Sequence, residues 1–138
     1  MNKHLIVFCG IPGSGKTTLS NRVAERHNFV RYSFDELRCM RYEDIIRPTV
    51  NTLREGKSVV VDGLFDRLIN RKEILDAVRD IPCAKILIVM DTPIDDCIQR
   101  NANRPYPLPE FMIRDIHDSF EPPFLEEGWD EILHCNNS

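Results

Sequence analysis

The residues with the clearest chemistry are Gly10-Ile11-Pro12-Gly13-Ser14-Gly15-Lys16-Thr17, with Thr18 behind them, which fit the spacing G-x-x-x-x-G-K-[ST]. Three of the chain's six glycines fall within these eight residues. A loop that wraps a phosphate with its backbone N–H groups has no room for side chains, so glycine recurs in it. A helix opening at Lys16 would point the positive end of its dipole at the same anion. Lys16 can then reach the β- and γ-phosphates of a nucleoside triphosphate, and the Thr17 hydroxyl can hold Mg²⁺. The spacing alone can arise by chance. Here it follows an apolar run and precedes a helical pattern, the context this chemistry requires.

Further groups could act on that triphosphate. In Ser33-Phe34-Asp35-Glu36-Leu37-Arg38 the aspartate sits at the carboxyl end of a predicted strand, the side where open α/β sheets bind ligands. Asp35 and Arg38 are three apart and would share one face of a helical turn. A carboxylate there can take a proton from an attacking hydroxyl, and a guanidinium can bind a phosphate. A helix cap for Asp35 and a surface ion pair for Arg38 explain the same residues equally simply. Arg100 and Arg104, four apart, flank Asn101–Asn103 and precede a loop at Pro105–Pro109. Such a pair can close over phosphates, or merely end a solvated helix. Asp62 before Gly63 can serve as an N-cap or turn residue. Asp91 reads as a helix cap. No Asn-Lys-x-Asp run is present, which disfavours guanine recognition.

The elements that must position these groups alternate between two periods. Leu5–Cys9, Val30–Phe34, Ser58–Asp62 and Ala84–Met90 read as buried strands, with Ile132–Cys135 as a short last one. Helical spacing covers Thr17 to about His27, about 41–55, Asn70–Arg79, 93–102 and Leu108–Phe120. Pro48 is expected to bend or interrupt the second of these. Strand, helix, strand with buried strands means a parallel sheet wrapped by helices.

Composition narrows the class. With 138 residues, one domain, 1–138, is the expectation. Eighteen basic and 22 acidic residues give a net charge of −4, which excludes a protein that coats long nucleic acid. Hydrophobic residues at 42% and charged residues at 29% exclude a disordered chain. No apolar run is long enough to span a bilayer. The start, Met1-Asn2-Lys3-His4 before Leu5–Cys9, only faintly imitates a secretory leader. Five scattered cysteines show no C-x-x-C spacing, so neither a disulfide framework nor a zinc site is expected, and a reduced cytoplasm is. The oligomeric state has no signature in the sequence.

Taken in order, Gly10–Thr17, Asp35-x-x-Arg38, a strand ending in Asp62, and Arg100-x-x-x-Arg104 resemble the kinase domain of polynucleotide 5′-hydroxyl kinases of the phage end-healing type. That group lies within the wider P-loop kinase class of AAA-domain and zeta-toxin-like proteins. The resemblance spans about residues 3–120. It implies an α/β P-loop NTPase three-layer sandwich: a parallel sheet of four to five strands, helices on both faces, and a small helical lid at about 100–110. It implies ATP and Mg²⁺ as cofactors. Asp35 would be the general base for a 5′-hydroxyl, Arg38 would grip the acceptor's phosphate, and Arg104 and Arg100 would act from the lid on the ATP phosphates; Asp62 matches an acidic position that would hold a metal-bound water or orient the acceptor. The acceptor would be a 5′-hydroxyl end of RNA or DNA. A small-molecule hydroxyl on a sugar, antibiotic or nucleotide sugar is the alternative, and a nucleotide-binding switch without an acceptor is a third reading. A basic groove through Arg38, Arg41, Arg47 and Arg71 would suit nucleic acid. The short segment from Cys39 to Lys57, where acceptors are usually shaped, suits a small molecule. No Asp-x-Asp-x-Thr/Val phosphatase run is present, and Trp129 reads as packed on the core.

Overall fold

A computed structural model describes residues 3–136; Met1 and Asn2 of the leader-like start lie outside the described residues, as do Asn137 and Ser138. Continuous apolar runs become the central strands here because helices cover both faces of the sheet and most of their side chains are buried. In β1 (His4–Cys9), Leu5, Val7, Phe8 and Cys9 are fully buried. β3 (Val59–Asp62) and β4 (Ala84–Met90) flank β1; β2 (Val30–Ser33) lies outside β3, and β5 (Glu131–Cys135) outside β4. All four pairings are parallel, in the order β2-β3-β1-β4-β5. The expected sheet of four to five strands therefore has five.

Side-chain alternation splits the core in two. Leu5, Val7, Val59, Val61 and Leu87 face α2 (Tyr42–Arg54) and α3 (Leu68–Ala77). Ile6, Phe8, Val60 and Ile88 face α1 (Lys16–His27) through Leu19, Val23 and Ala24. A third cluster joins Ile11 of the loop after β1 to Cys97 of α4 (Ile94–Ala102) and Ile113 of α5 (Glu110–Asp118). The loop is thus wedged between the sheet and the α4–α5 pair.

Two local expectations are corrected. α2 runs unbroken through Pro48. Proline removes one helical hydrogen bond, but Ile45, Ile46, Thr49, Thr52 and Leu53 stay buried along one face, and that packing outweighs the break. The Thr49 hydroxyl also donates to the Ile45 carbonyl at 2.8 Å. Asp91 does not cap α4, whose N-cap is Pro93; its carboxylate meets His134 Nδ1 at 2.7 Å, tying the ends of β4 and β5 together. Trp129 is buried against the α2–α3 side of the core, as expected, and its Nε1–H donates to Glu127 Oε1 at 3.0 Å.

Candidate active site

The loop after β1 is closely packed and held by side chains on its own carbonyls. Gly13 has φ +83°, and a Cβ there would lie 2.5 Å from the Cys97 carbonyl oxygen of α4. A Cβ on Gly10 would lie 2.8 Å from Ser14 Oγ and 2.9 Å from Met90 Cβ. So Gly10 and Gly13 are required by close packing of the protein itself, as well as by any phosphate. Thr92 Oγ1 donates to the Ser14 carbonyl at 2.7 Å and braces the loop from the end of β4. Ser14 Oγ is buried without a hydrogen-bond partner among the described residues. Lys16 folds over the loop, its Nζ donating to the carbonyls of Gly10 at 2.8 Å and Ile11 at 3.1 Å. Burial pulls the Lys16 ammonium below its ordinary pKa; the carboxylates of Asp62 and Asp35 pull it back up, and the Arg104 guanidinium adds a smaller push down.

A cavity of about 710 Å³ opens over this loop. Pro12 through Thr18 line it, together with Asp35, Asp62, Arg100 and Arg104. Of the expected phosphate-binding residues, Gly10 and Ile11 are set back from it: Gly10 lies beneath the loop, and Ile11 packs into the α4–α5 cluster. Asp35 is exposed in the turn after β2, and Ser33 Oγ, not Asp35, accepts from a following amide, that of Glu36. The cap reading of Asp35 is therefore wrong. Arg100 Nη1 donates to the Gly13 carbonyl at 3.2 Å, so α4 holds the loop through a side chain as well as through packing. Asp62 is buried; its Oδ2 accepts from Ser20 Oγ at 3.0 Å and from Arg31 Nη2 at 2.9 Å.

Arg38 does not line this cavity. Its φ is +55° and its amide bonds the Asp35 carbonyl at 3.0 Å, which makes a turn instead of a helical face shared with Asp35. Arg71 is a second correction. It is fully buried and bonds Glu127 through two nitrogens, each at 2.9 Å, so it cannot extend a basic groove from Arg38 through Arg41 and Arg47. Those two are exposed and pair with Glu43.

Sequence spacing missed the far wall of the cavity. Tyr42 of α2, and Asp66, Arg67 and Asn70 at the start of α3, line it. Leu108 and, on α5, Met112 and Ile116 add apolar lining, at a spacing of four that was readable as one helix face. Arg31 was also missed; it links Asp62 to Ser20 and Glu36. Buried Asn101 closes the base of the lid, donating to the Leu108 carbonyl at 2.7 Å and accepting from its amide at 3.1 Å. A second cavity, of about 380 Å³, lies on the other side of Ile11 and contains His117 and His134. No helix among the described residues is long and apolar enough to cross a membrane.

A family model described as an AAA domain matches residues 5–123. The chain is 26% identical over 143 aligned residues to L-seryl-tRNA(Sec) kinase of Methanococcus maripaludis, covering 91% of this chain and 56% of that protein. It is 24% identical over 136 aligned residues to the bifunctional polynucleotide phosphatase/kinase of Schizosaccharomyces pombe, covering 95% of this chain and 33% of that one. It thus spans about half of the first relative and a third of the second. Among solved structures, a fungal RNA kinase superposes with a TM-score of 0.80 at 20% identity, over 100% of this chain and 39% of that one. The fold is that of the P-loop kinases.

Proposed function

The chain belongs to the AAA domain family, and from that premise we propose that it is an ATP-dependent phosphotransferase that moves the γ-phosphate of ATP to a 5′-hydroxyl end of RNA or DNA. The observation that carries this reading is the single cavity in which Lys16 and Thr17 meet Asp35, Arg100 and Arg104. A phosphate cradle with no hydroxyl-activating group beside it would be a switch. A cradle with a carboxylate across the same cavity can serve in-line transfer to a hydroxyl. The similarity to a polynucleotide phosphatase/kinase supports a polynucleotide acceptor, and the similarity to an L-seryl-tRNA(Sec) kinase supports an acceptor group carried on RNA.

The residues present fit Mg²⁺. Thr17 and Asp62 offer hard oxygen donors on one cavity wall, and no cluster of three metal-binding side chains stands among the described residues. That suits an ion held mainly by substrate phosphates and water. Thr17 would hold it directly and Asp62 through water, and it would supply neutralisation of charge between the β- and γ-phosphates. The chain's own residues do the rest. The loop amides and the N-terminus of α1 fix the β-phosphate, and Lys16 swings from the Gly10 and Ile11 carbonyls to the β- and γ-oxygens. Arg104 and Arg100 hold the transferring group from the lid, and Asp35 takes the hydroxyl proton as oxygen attacks phosphorus. The cavity is open to water at the lid loop, whose residues 102–110 are exposed.

The test is label transfer. Incubation with ATP labelled at the γ-phosphate should label 5′-hydroxyl oligonucleotides. Label appearing on a sugar or nucleotide-sugar panel instead would replace the acceptor by a small molecule. ATP binding with no transfer to any hydroxyl would leave the nucleotide-binding switch.

A further inference from the structure

Arg67 is a further cation lining the cavity. It stands at the N-cap position of α3 and lines the same cavity as Asp35. Its Nε donates to Glu121 Oε1 at 2.9 Å. The same oxygen accepts the Leu68 amide at 3.1 Å, and the Glu121 amide donates to the Asp66 carbonyl at 2.8 Å. Glu121 is thereby stitched to three consecutive residues. It uses only the Nε edge of the guanidinium; Nη1 and Nη2 make no hydrogen bond to a described residue. A guanidinium has five N–H donors, so the larger part of its donor fork is left for something else.

The loop carrying Arg67 is fixed from behind. Phe65 adopts a left-handed conformation, φ +44°, that a phenylalanine rarely takes. Two bonds hold it there: its amide donates to Tyr42 Oη at 3.0 Å, and its carbonyl accepts from Arg71 Nη1 at 2.7 Å. Arg71 is itself locked on buried Glu127. A guanidinium held at one edge, on a backbone pinned at two points, loses little freedom on taking a ligand.

We propose that the Nη edge of Arg67 grips a phosphate on the acceptor, beside the hydroxyl that Asp35 addresses. This rests on the phosphotransferase reading and names the chemistry of its acceptor: a hydroxyl compound that already carries a phosphate. Two sources share that chemistry, the first phosphodiester of a strand and the phosphate monoester of a small metabolite. Arg67 takes the role that the family resemblance implied for Arg38.

Equilibrium binding tests this without relying on turnover. A 5′-hydroxyl dinucleotide, its uncharged methylphosphonate analogue and a sugar phosphate are titrated by calorimetry into the wild-type chain and the Arg67→Ala, Arg67→Lys and Arg38→Ala variants, with ATP titrated into each as the control for an intact fold. A charge-assisted grip should make the charged dinucleotide bind about ten- to a hundred-fold more tightly than its uncharged analogue. Arg67→Ala should abolish that ratio and leave ATP affinity in place, Arg67→Lys should keep part of it, and Arg38→Ala should keep all of it. Tighter binding of the sugar phosphate, lost in the same variant, assigns the grip to a metabolite. A ratio unchanged in Arg67→Ala, a ratio lost in Arg38→Ala alone, or no binding of any phosphate compound overturns the proposal. Binding with the full Arg67 dependence, but no label transfer to any acceptor, keeps the grip and removes the reaction.

Discussion

The two ends of the cavity are built by different means. At the donor end one contiguous loop supplies its backbone, held through its own carbonyls by the Thr92 and Arg100 side chains and packed at Gly13 on the Cys97 carbonyl. At the acceptor end side chains converge from separate segments: Asp35 after β2, Tyr42 from α2, Arg67 and Asn70 from the start of α3, and Met112 and Ile116 from α5. A packed backbone loop fixes a shape that suits any nucleoside triphosphate. Side chains on separate segments can change without disturbing that shape. The division explains how one fold can serve many acceptors, and it can be tested because each end should fail in its own way.

The largest effect should come from Asp35→Asn. The variant keeps the size and polarity of the side chain and removes the proton acceptor. We expect kcat to fall by about 10²–10⁴ while ATP affinity stays unchanged, measured by label transfer and by calorimetry. If ATP affinity fell in proportion, the two ends would not be separable. Next in size is Arg71→Met, which strands Glu127 in the core where both side chains are essentially inaccessible. Removing one partner of a buried pair costs about 3–5 kcal/mol, read from the urea midpoint. Replacing both partners, as Arg71→Met with Glu127→Gln, should recover much of the loss, although Glu127 also holds the Trp129 N–H. Loosening of Phe65 should then raise KM for the acceptor more than KM for ATP.

Gly13→Ala attacks the donor end instead. It combines a left-handed backbone with a Cβ 2.5 Å from the Cys97 carbonyl oxygen, so α4 must move. Gly56 is the control: it has φ +91°, but nothing lies within 4 Å of its Cβ position. Gly56→Ala should cost about 1–2 kcal/mol from the backbone alone. Gly13→Ala should cost more than that and should also weaken ATP binding. Equal stability losses in the two variants would mean that the contact with α4 does not constrain the loop.

The same division governs what could be read from the sequence. The loop was legible because its requirements are local: a strand, glycines, a lysine and a helix in one continuous run. The strands were legible because burial on both faces leaves unbroken apolar runs such as Leu5–Cys9 and Val59–Val61. The acceptor end was not, because its partners are remote. Arg71 lies 56 residues from Glu127, so no spacing rule distinguishes it from a surface arginine. Arg67 and Arg71 are four apart and look equivalent, yet Arg67 sits at the cap of α3 facing the cavity and Arg71 is buried one turn on. The shared face expected of Asp35 and Arg38 did not form, because a three-residue spacing brings side chains together only where the backbone is helical. Pro48 does not interrupt α2, because helix propensity takes no account of that helix's buried face.

The smallest effect concerns Glu121, and it bears on whether the acceptor end is set before any acceptor arrives. The Arg67 side chain and the Leu68 amide hold the Glu121 carboxyl below the usual glutamate range, against a weaker opposing push from desolvation. A carboxylate whose pKa is depressed in the folded chain contributes stability fully above its unfolded pKa, about 4.3, and loses it only as pH falls through the lower folded value. The Arg67–Glu121 link should therefore survive acidification past the point where ordinary surface glutamates protonate. Both groups are about half exposed, so solvent and salt screen the pair and little global stability is at stake. The informative readout is local: the Glu121 carboxyl carbon and the Arg67 Nε–H resonances followed by NMR from neutral pH downward. Glu121 should titrate below the other exposed glutamates, and the Arg67 signal should shift with it. In Arg67→Ala the Leu68 amide alone remains, and the depression should shrink without vanishing. If Glu121 instead titrates like its exposed neighbours, the guanidinium is not held at its Nε edge in solution. The acceptor end would then be organised by its ligand, while the donor end stands ready-made.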